Sequence, residues 1–192
     1  MQRSRREIEV KLRFDSPDQA RRRLEQAGAR RVGERTFEDN VLYDDERGGL
    51  DAARKVLRLR RYGGGATLTF KAPVEGSIRY KVCEEHETVV GQPEAVEALL
   101  SGLGFEPVYR YQKFRTHYAI GDLAASLDET PVGCFVELEG EPAAIDRTAE
   151  AMGVRPEEYV LSTYRELHEA HARARGERIG DLVFDSPQED RS

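Results

Sequence analysis

Several segments of this chain alternate apolar residues with charged residues of a single sign, and this pattern limits the folds that the chain can adopt. Arg58 and Arg60 alternate with leucines, and Glu137 and Glu139 alternate with valine and leucine. Successive side chains of a strand point to opposite faces, so each pair places like charges on one face. Such pairs cost free energy unless opposite charges lie across from them, and the sequence supplies strands of both signs.

Apolar periodicity and turn residues predict eight strands and four helices. The predicted strands cover residues 7–14, 31–43, 56–62, 66–72, 79–90, 108–118, 123–128 and 134–139. The predicted helices cover 17–27 after an N-cap at Ser16, 93–101, 142–152, and a last segment that starts at Pro156 or Ser162 and ends at Ala174. Pro at the first helical position and Gly after the last support these bounds. Gly63 to Gly65 are predicted to form a hairpin tip.

Closure of the strands into a barrel would bring these charged faces together in one lumen. We therefore predict an α+β fold, with an eight-stranded antiparallel closed β-barrel whose lumen is charged and whose helices pack on the outside. Alternatively, each pair belongs to the solvated face of an ordinary sheet, where cross-strand ion pairs contribute little. Several such pairs in one chain favour the lumen. We expect one domain over residues 1–175, and a polar tail over 176–192 in which residues 179–184 could pack back.

Composition excludes several functional classes. The 192 residues contain 30 Lys and Arg against 36 Asp and Glu, a net charge of -6, so we expect no nucleic-acid partner. No apolar run reaches membrane-spanning length, and the first residues lack the apolar core of a signal peptide, so we expect no membrane partner and a cytoplasmic location. Cys83 and Cys134 form neither a disulfide pattern nor a zinc pattern. A homodimer is possible.

A lumen with both acidic and basic strands suits a polyanion that carries metal ions. Carboxylates are hard oxygen ligands for Mg²⁺ or Mn²⁺, and guanidinium and ammonium groups neutralise phosphate oxygens. Phosphoryl transfer requires little beyond such positioning and charge. The charge pattern therefore points to a metal-dependent enzyme that binds a phosphate-rich small molecule.

The segment Glu7-Ile8-Glu9-Val10-Lys11 resembles the ExExK signature of the CYTH superfamily, also called triphosphate tunnel metalloenzymes. The other motifs of the family follow in the expected order and cover about residues 5 to 170. They are Arg58-x-Arg60, Lys71, Glu85-x-Glu87, Lys113-x-Arg115, Asp128 and Glu137-x-Glu139.

The resemblance implies a tunnel barrel with roles for each of these residues. The implied metal ligands are Glu7, Glu9, Glu85, Glu87, Asp128, Glu137 and Glu139. The implied triphosphate ligands are Arg58, Arg60, Lys71, Lys81, Lys113 and Arg115. Glu9, Lys11 and Lys71 are the implied catalytic residues, with Lys11 in contact with phosphate or orienting the nucleophile.

Three softer features are similar to the class IV adenylyl cyclase branch of that family: residues 37–44, 127–137 and 162–167. They make conversion of ATP to cyclic AMP and pyrophosphate the first expectation for the reaction. The alternatives are a triphosphatase acting on thiamine triphosphate, inorganic tripolyphosphate or a nucleoside triphosphate, and a non-catalytic module that binds polyphosphate or a nucleotide. The residue types are common to all three.

The sequence departs from the family where Cys83 replaces a basic residue ahead of the acidic strand motif. Lys81 or Arg79 could supply that charge. Among adjacent carboxylates, we expect Asp128 rather than Glu129 to face the lumen, because neighbouring strand residues point to opposite faces. His168 and His171 have a spacing that can bind metal, but exposed histidines on a surface helix are the commoner case.

Overall fold

The computed structural model describes residues 5–185, and its strands form one closed antiparallel sheet. The strands are β1 (Arg5–Phe14), β2 (Arg30–Arg31), β3 (Thr36–Asp45), β4 (Val56–Tyr62), β5 (Gly65–Pro73), β6 (Lys81–Val89), β7 (Phe105–Ile120), β8 (Leu123–Thr130) and β9 (Gly133–Glu139). The helices are α1 (Pro17–Gln26), α2 (Gly49–Ala52), α3 (Pro93–Gly102), α4 (Pro142–Ala151) and α5 (Tyr164–Arg175), with a 3₁₀ turn at Pro156–Glu158. All of these helices are too short or too polar to cross a lipid bilayer.

Eight of the strands close the barrel. Their order is β7-β3-β4-β5-β6-β1-β9-β8, and β8 pairs back with β7. Closure leaves no long unpaired edge in the sheet, and it directs one face of every strand inward. The predicted α+β fold and closed eight-stranded barrel are confirmed.

The predicted strand over residues 31–43 was wrong in one respect, because the chain leaves the ladder at 32–35 and divides it into β2 and β3. Arg31 Nε donates a hydrogen bond to the Gly33 carbonyl at 2.8 Å, which stabilises a local bend there. The short helix α2 was not predicted. It forms because the Asp44 carboxylate accepts hydrogen bonds from the Leu50 and Asp51 amides, at 2.8 and 2.9 Å.

The apolar side of the barrel faces outward and is covered by helices. Val10, Leu12, Val136 and Leu138 project from β1 and β9 and are at most 1% exposed. They pack in one cluster with residues of α1 and α4, such as the fully buried Ile145. Burial of these side chains supplies the main hydrophobic stabilisation on this side and leaves the inner face to the charged residues.

Two single-residue bridges complete the barrel wall near α5. Val160, which precedes α5, exchanges two backbone hydrogen bonds with Lys11 of β1. Leu182, which follows α5, bridges Tyr111 of β7 in parallel and is 3% exposed. Part of the predicted polar tail therefore packs onto the barrel, while residues 186–192 lie outside the described residues.

Candidate functional site

Strands β1 and β9 form an acidic wall on the inner face of the barrel. Glu9 lies directly opposite Glu139, and Lys11 lies directly opposite Glu137, in antiparallel register. Glu7 and Glu9 are 7% and 5% exposed. Like charges opposite one another destabilise a sheet, so this wall requires cations close by.

Two lysines supply part of that charge. Lys11 Nζ lies 3.1 Å from Glu9 Oε1 and 3.5 Å from Glu137 Oε1, and Lys81 Nζ lies 2.7 Å from Glu9 Oε1. Burial alone would raise the pKa of Glu9, but Lys11 and Lys81 outweigh burial and hold that pKa below its ordinary value. The Glu9 carboxylate therefore stays ionised.

Lys71 of β5 holds a second pair of carboxylates. Its Nζ lies 2.5 Å from Glu7 Oε2 and 2.6 Å from Glu85 Oε2. Cys83 donates a hydrogen bond from its thiol to the same Glu7 oxygen at 2.8 Å. Burial raises the pKa of Cys83 to about 12, so the thiol stays protonated and acts as a donor.

The structure distinguishes the two residues that could compensate for Cys83. Lys81 projects into the lumen, where it contacts Glu9. Arg79 lies before β6 and points outside the barrel, where its Nη2 lies 2.9 Å from Asp146 Oδ2 on α4. Of these two residues, only Lys81 can add positive charge to the lumen.

Strands β4 and β7 carry the arginines and lysine of a basic wall. Arg58 donates to the Tyr111 hydroxyl and to Thr69 Oγ1, each at 3.2 Å. Arg60 donates from Nε to Asn40 Oδ1 at 3.1 Å. Arg58 is 8% exposed, and its Nε has no hydrogen-bond partner among the described residues. This wall therefore retains donor capacity inside the barrel.

Asp128 lies behind the other end of the basic wall and is fully buried. Its carboxylate accepts hydrogen bonds from Lys113 Nζ at 2.8 Å, from Arg115 Nε at 2.6 Å and from Arg115 Nη2 at 2.5 Å. Arg115 also donates to Glu137 at 2.5 Å, which connects the basic wall with the acidic wall. The adjacent Glu129 points the opposite way and pairs with Arg35, as its position in the strand predicts.

A second buried carboxylate, Glu38 of β3, also belongs to this wall and was not predicted. Glu38 Oε2 lies 3.5 Å from Arg60 Nε and 3.7 Å from Lys113 Nζ, and the residue is 3% exposed. Burial would raise the pKa of Glu38, but Lys113, Arg115 and Arg60 outweigh burial and lower that pKa to about 2. Glu38 thus neutralises part of the repulsion within the basic wall.

Replacement of Glu38 by Gln should destabilise the protein more at neutral pH than in acid. Because the folded-state pKa lies below the ordinary value of 4.5, the stabilisation is complete above about pH 4.5 and is lost as the pH falls towards 2. Between pH 7 and pH 3, the loss in free energy of unfolding should shrink by about 2 kcal/mol. Guanidinium denaturation of the wild type and of Glu38→Gln at pH 7 and pH 3 measures this difference. An equal loss of stability at the two pH values would contradict the role given to Glu38.

One cavity of about 1050 Å³ connects these groups. The predicted site residues that line it are Glu7, Glu9, Lys11, Arg58, Arg60, Lys71, Lys81, Glu85, Glu87, Lys113, Arg115, Glu137 and Glu139. Asp128 does not line the cavity, because Lys113, Arg115 and Tyr164 surround its carboxylate. The structure therefore brings the charged pairs into one space and places Asp128 behind their surface.

The donor set of the acidic wall fits a hard divalent cation. Glu7, Glu9, Glu137 and Glu139 offer only carboxylate oxygens, which Mg²⁺ and Mn²⁺ prefer. Among the described residues, no three acidic, histidine or cysteine side chains already stand in a metal-binding cluster. Lys11, Lys71 and Lys81 hold the carboxylates instead, so binding of a metal would require these ammonium groups to turn away.

Tyr164 of α5 is another site residue: it lies in the segment 162–167 that is similar to the family branch, but no site role was predicted for it. Its hydroxyl donates to Asp128 Oδ2 at 2.6 Å, and its ring lies 5.4 Å from Lys11 Nζ and 5.0 Å from Lys113 Nζ. A helical residue carries no strand alternation that could signal an inward position. Glu38 and Asn40 do alternate along β3, but Leu42 interrupts their polar pattern.

Of the two histidines that were set aside, His168 packs against Tyr109, and His171 is exposed. His168 Nδ1 lies 2.9 Å from the Tyr109 hydroxyl, and the two rings pack 6.0 Å apart. Gly63 and Gly64 have positive φ angles of 46° and 81° between β4 and β5, which agrees with a hairpin tip.

Solved structures confirm the fold independently. A proposed adenylate cyclase from Vibrio parahaemolyticus superposes with a TM-score of 0.73 at 19% identity, covering 86% of this chain and 98% of that one. The PH1012 protein from Pyrococcus horikoshii gives 0.70 at 26% identity, with 84% and 98% covered. HpAC1 from Hippeastrum, a proposed adenylyl cyclase with a dominant triphosphatase activity, gives 0.60 at 20% identity, with 90% and 97% covered. No curated protein matches the sequence significantly.

The closed barrel and its opposed ionic walls define a tunnel protein with a charged interior. The chain matches the CYTH domain over residues 5–175, so it belongs to the CYTH domain family. The resemblance noted in the sequence is thereby confirmed. Proteins of this family are in general metal-dependent and bind triphosphates in the tunnel.

Proposed function

We propose that this protein is a divalent-metal-dependent phosphoryl-transfer enzyme that acts on a triphosphate inside the barrel. Conversion of ATP to cyclic AMP and pyrophosphate is the first candidate for its reaction. One observation carries the proposal: acidic and basic walls line the same cavity of about 1050 Å³. A triphosphate with its metal needs both kinds of charge within a few ångströms.

The basic groups would bind the phosphate oxygens. The proposed phosphate ligands are Arg58, Arg60, Lys71, Lys81, Lys113 and Arg115, all of which line the cavity. An arginine side chain can present two parallel N–H groups to one phosphate, which fixes its orientation. The lysines add point charges along the phosphate chain.

The acidic wall would hold Mg²⁺ or Mn²⁺ through Glu7, Glu9, Glu137 and Glu139, with Glu85 and Glu87 on the neighbouring strand. A bound metal would supply charge neutralisation and a lower pKa for the attacking hydroxyl or water. Lys11 Nζ lies within 3.5 Å of both Glu9 and Glu137, so an ammonium group released from these carboxylates could contact phosphate or orient the nucleophile. When a metal replaces the ammonium group beside the carboxylates and that group moves to the phosphate, the charges in the lumen stay nearly balanced.

A triphosphatase is the second candidate. HpAC1 has the same fold and a dominant triphosphatase activity. In a cyclase the ribose 3′-oxygen attacks the α-phosphorus and pyrophosphate leaves, whereas in a hydrolase water attacks the terminal phosphorus. A module that only binds polyphosphate is less well supported, because several carboxylates beside phosphate weaken anion binding unless a metal is present.

Incubation with Mn²⁺ or Mg²⁺ and one triphosphate at a time should separate these reactions. With ATP, we expect cyclic AMP and pyrophosphate, resolved by chromatography. Release of orthophosphate from ATP, thiamine triphosphate or tripolyphosphate instead identifies a triphosphatase. Each reaction should stop when EDTA is added, because the carboxylates need a metal to act on phosphate.

The negative outcome is equally specific. Binding of tripolyphosphate without any product from ATP, thiamine triphosphate or tripolyphosphate, in the presence of either metal, contradicts the enzymatic proposal and supports the binding module. Turnover that persists in EDTA contradicts the role given to the acidic wall.

A further inference from the structure

Four hydrogen bonds hold the Asp128 carboxylate behind the surface of the cavity. Its Oδ2 accepts from Lys113 Nζ, Arg115 Nη2 and the Tyr164 hydroxyl, and its Oδ1 accepts from Arg115 Nε. The residue is fully buried and does not line the cavity. A metal ion in the cavity could therefore reach Asp128 only if one of these donors moved aside.

The same bonds fix the two cations in a definite orientation. Asp128 holds Arg115 by Nε and Nη2, and Glu137 accepts a further hydrogen bond from Nη2. No described residue accepts a hydrogen bond from Arg115 Nη1, and Arg115 lines the cavity. The contacts with Asp128 and Glu137 thus leave Nη1 of the Arg115 guanidinium for a ligand in the cavity.

Tyr164 comes from outside the sheet, on α5, and is the neutral member of the cluster. It is 6% exposed, and its ring lies over both Lys11 and Lys113. Without its hydroxyl, the Asp128 carboxylate would draw more strongly on Lys113 and Arg115. Lys113 and Arg115 would then direct more of their N–H groups to Asp128 and fewer to phosphate.

We propose that Tyr164 is a positioning residue: its hydrogen bond to Asp128 orients the carboxylate that holds Lys113 and Arg115 for phosphate, so that Asp128 serves the basic wall and is not a metal ligand. This inference rests on the proposed function only in that phosphate is taken as the ligand of the wall. It replaces the metal role that the resemblance implies for Asp128.

Tyr164→Phe tests this inference because it removes one oxygen without changing the charge of the lumen. Replacement of Asp128 itself would be ambiguous, since loss of its charge would by itself strengthen anion binding. In EDTA, calorimetric titration with inorganic tripolyphosphate should show a Kd about tenfold higher for Tyr164→Phe than for the wild type. KM for the triphosphate should rise similarly with little change in kcat, because the wall binds substrate and transition state alike.

Tyr159→Phe is the matched control. Tyr159 also donates its hydroxyl to a carboxylate, Asp146 Oδ1 at 3.0 Å, but does so outside the cavity. Its removal should leave the tripolyphosphate Kd unchanged. Direct Mn²⁺ titration followed by electron paramagnetic resonance should give the same Mn²⁺ affinity for Tyr164→Phe as for the wild type.

The remaining outcomes overturn the inference. An unchanged tripolyphosphate Kd, with only a lower melting temperature, would make Tyr164 a packing residue. A weakened Mn²⁺ affinity with an unchanged Kd in EDTA would return Asp128 to the metal site. A wild type that binds tripolyphosphate but turns over none of the three triphosphates defeats the proposed function alone, whereas a wild type that binds no triphosphate defeats both proposals.

Discussion

Replacement of Glu9 by Gln is expected to lower kcat by about 10³-fold while the fold is retained. Gln has the same shape but lacks the charge that a divalent metal requires. Glu9 contacts both Lys11 and Lys81 and lies opposite Glu139, so it stands at the centre of the acidic wall. Lys11 keeps Glu137 as a partner, and the Lys81 side chain is 30% exposed, so neither lysine is left buried and unpaired.

Two measurements check this expectation. Initial rates with each triphosphate report the loss of turnover, and thermal melting with and without Mn²⁺ reports metal binding, because a ligand that binds the folded state raises its melting temperature. The shift caused by Mn²⁺ should be smaller in Glu9→Gln. Glu150→Gln, an exposed carboxylate on α4, is the matched control and should behave as the wild type. Near-normal rates in Glu9→Gln would remove Glu9 from the site.

Replacement of Lys71 by Ala is expected to lower kcat/KM by about 10² to 10³-fold and to make stability depend on metal. Lys71 contributes a proposed phosphate contact and also separates Glu7 from Glu85, with Nζ–O distances of 2.5 and 2.6 Å. Without it, two carboxylates of the neighbouring strands β1 and β6 lie close together with no cation between them. Because the Lys71 and Glu85 side chains are 15% and 20% exposed, the stability loss without metal should be about 2 kcal/mol.

Added Mn²⁺ should restore most of that stability, because the released carboxylates are free to bind it. Chemical denaturation in EDTA and in Mn²⁺ measures the difference, and Arg147→Ala, an exposed cation on α4, serves as the control. A variant with wild-type kcat/KM would show that Lys71 contacts no substrate. Equal stability losses in EDTA and in Mn²⁺ would show that Glu7 and Glu85 take no part in metal binding.

Much of the fold could be predicted because aliphatic and charged residues alternate along the strands. The outward positions of β1 and β9 are aliphatic and nearly fully buried, whereas their inward positions are ionic. A period of two with charges of one sign is uncommon on an ordinary solvated face, and it pointed directly to an enclosed lumen. The break at residues 32–35 and the helix α2 could not be predicted, since both depend on single side-chain hydrogen bonds to the backbone.

The candidate site could be predicted to the extent that its residues occur as alternating pairs. Arg58 with Arg60 and Glu137 with Glu139 all line the cavity. Glu38 escaped notice because Asn40 and Leu42, rather than a second acid, alternate with it along β3, and because its partners, Arg60 and Lys113, belong to two other strands. Tyr164 lies in the segment 162–167 that is similar to the family branch, but its role in the site was not predicted because it reaches the lumen from a helix. Such contacts depend on how distant segments meet in space, and no local pattern encodes them.

The bridges at Val160 and Leu182 have a mechanical consequence for α5. One bridge anchors the chain to β1 just before this helix, and the other anchors it to β7 shortly after. Because the chain is bridged to the barrel on both sides of α5, this helix cannot move away from the barrel unless one of the two bridges first breaks. The substrate should therefore enter past the loop at residues 74–77, which borders the same cavity and carries no such bridge among the described residues.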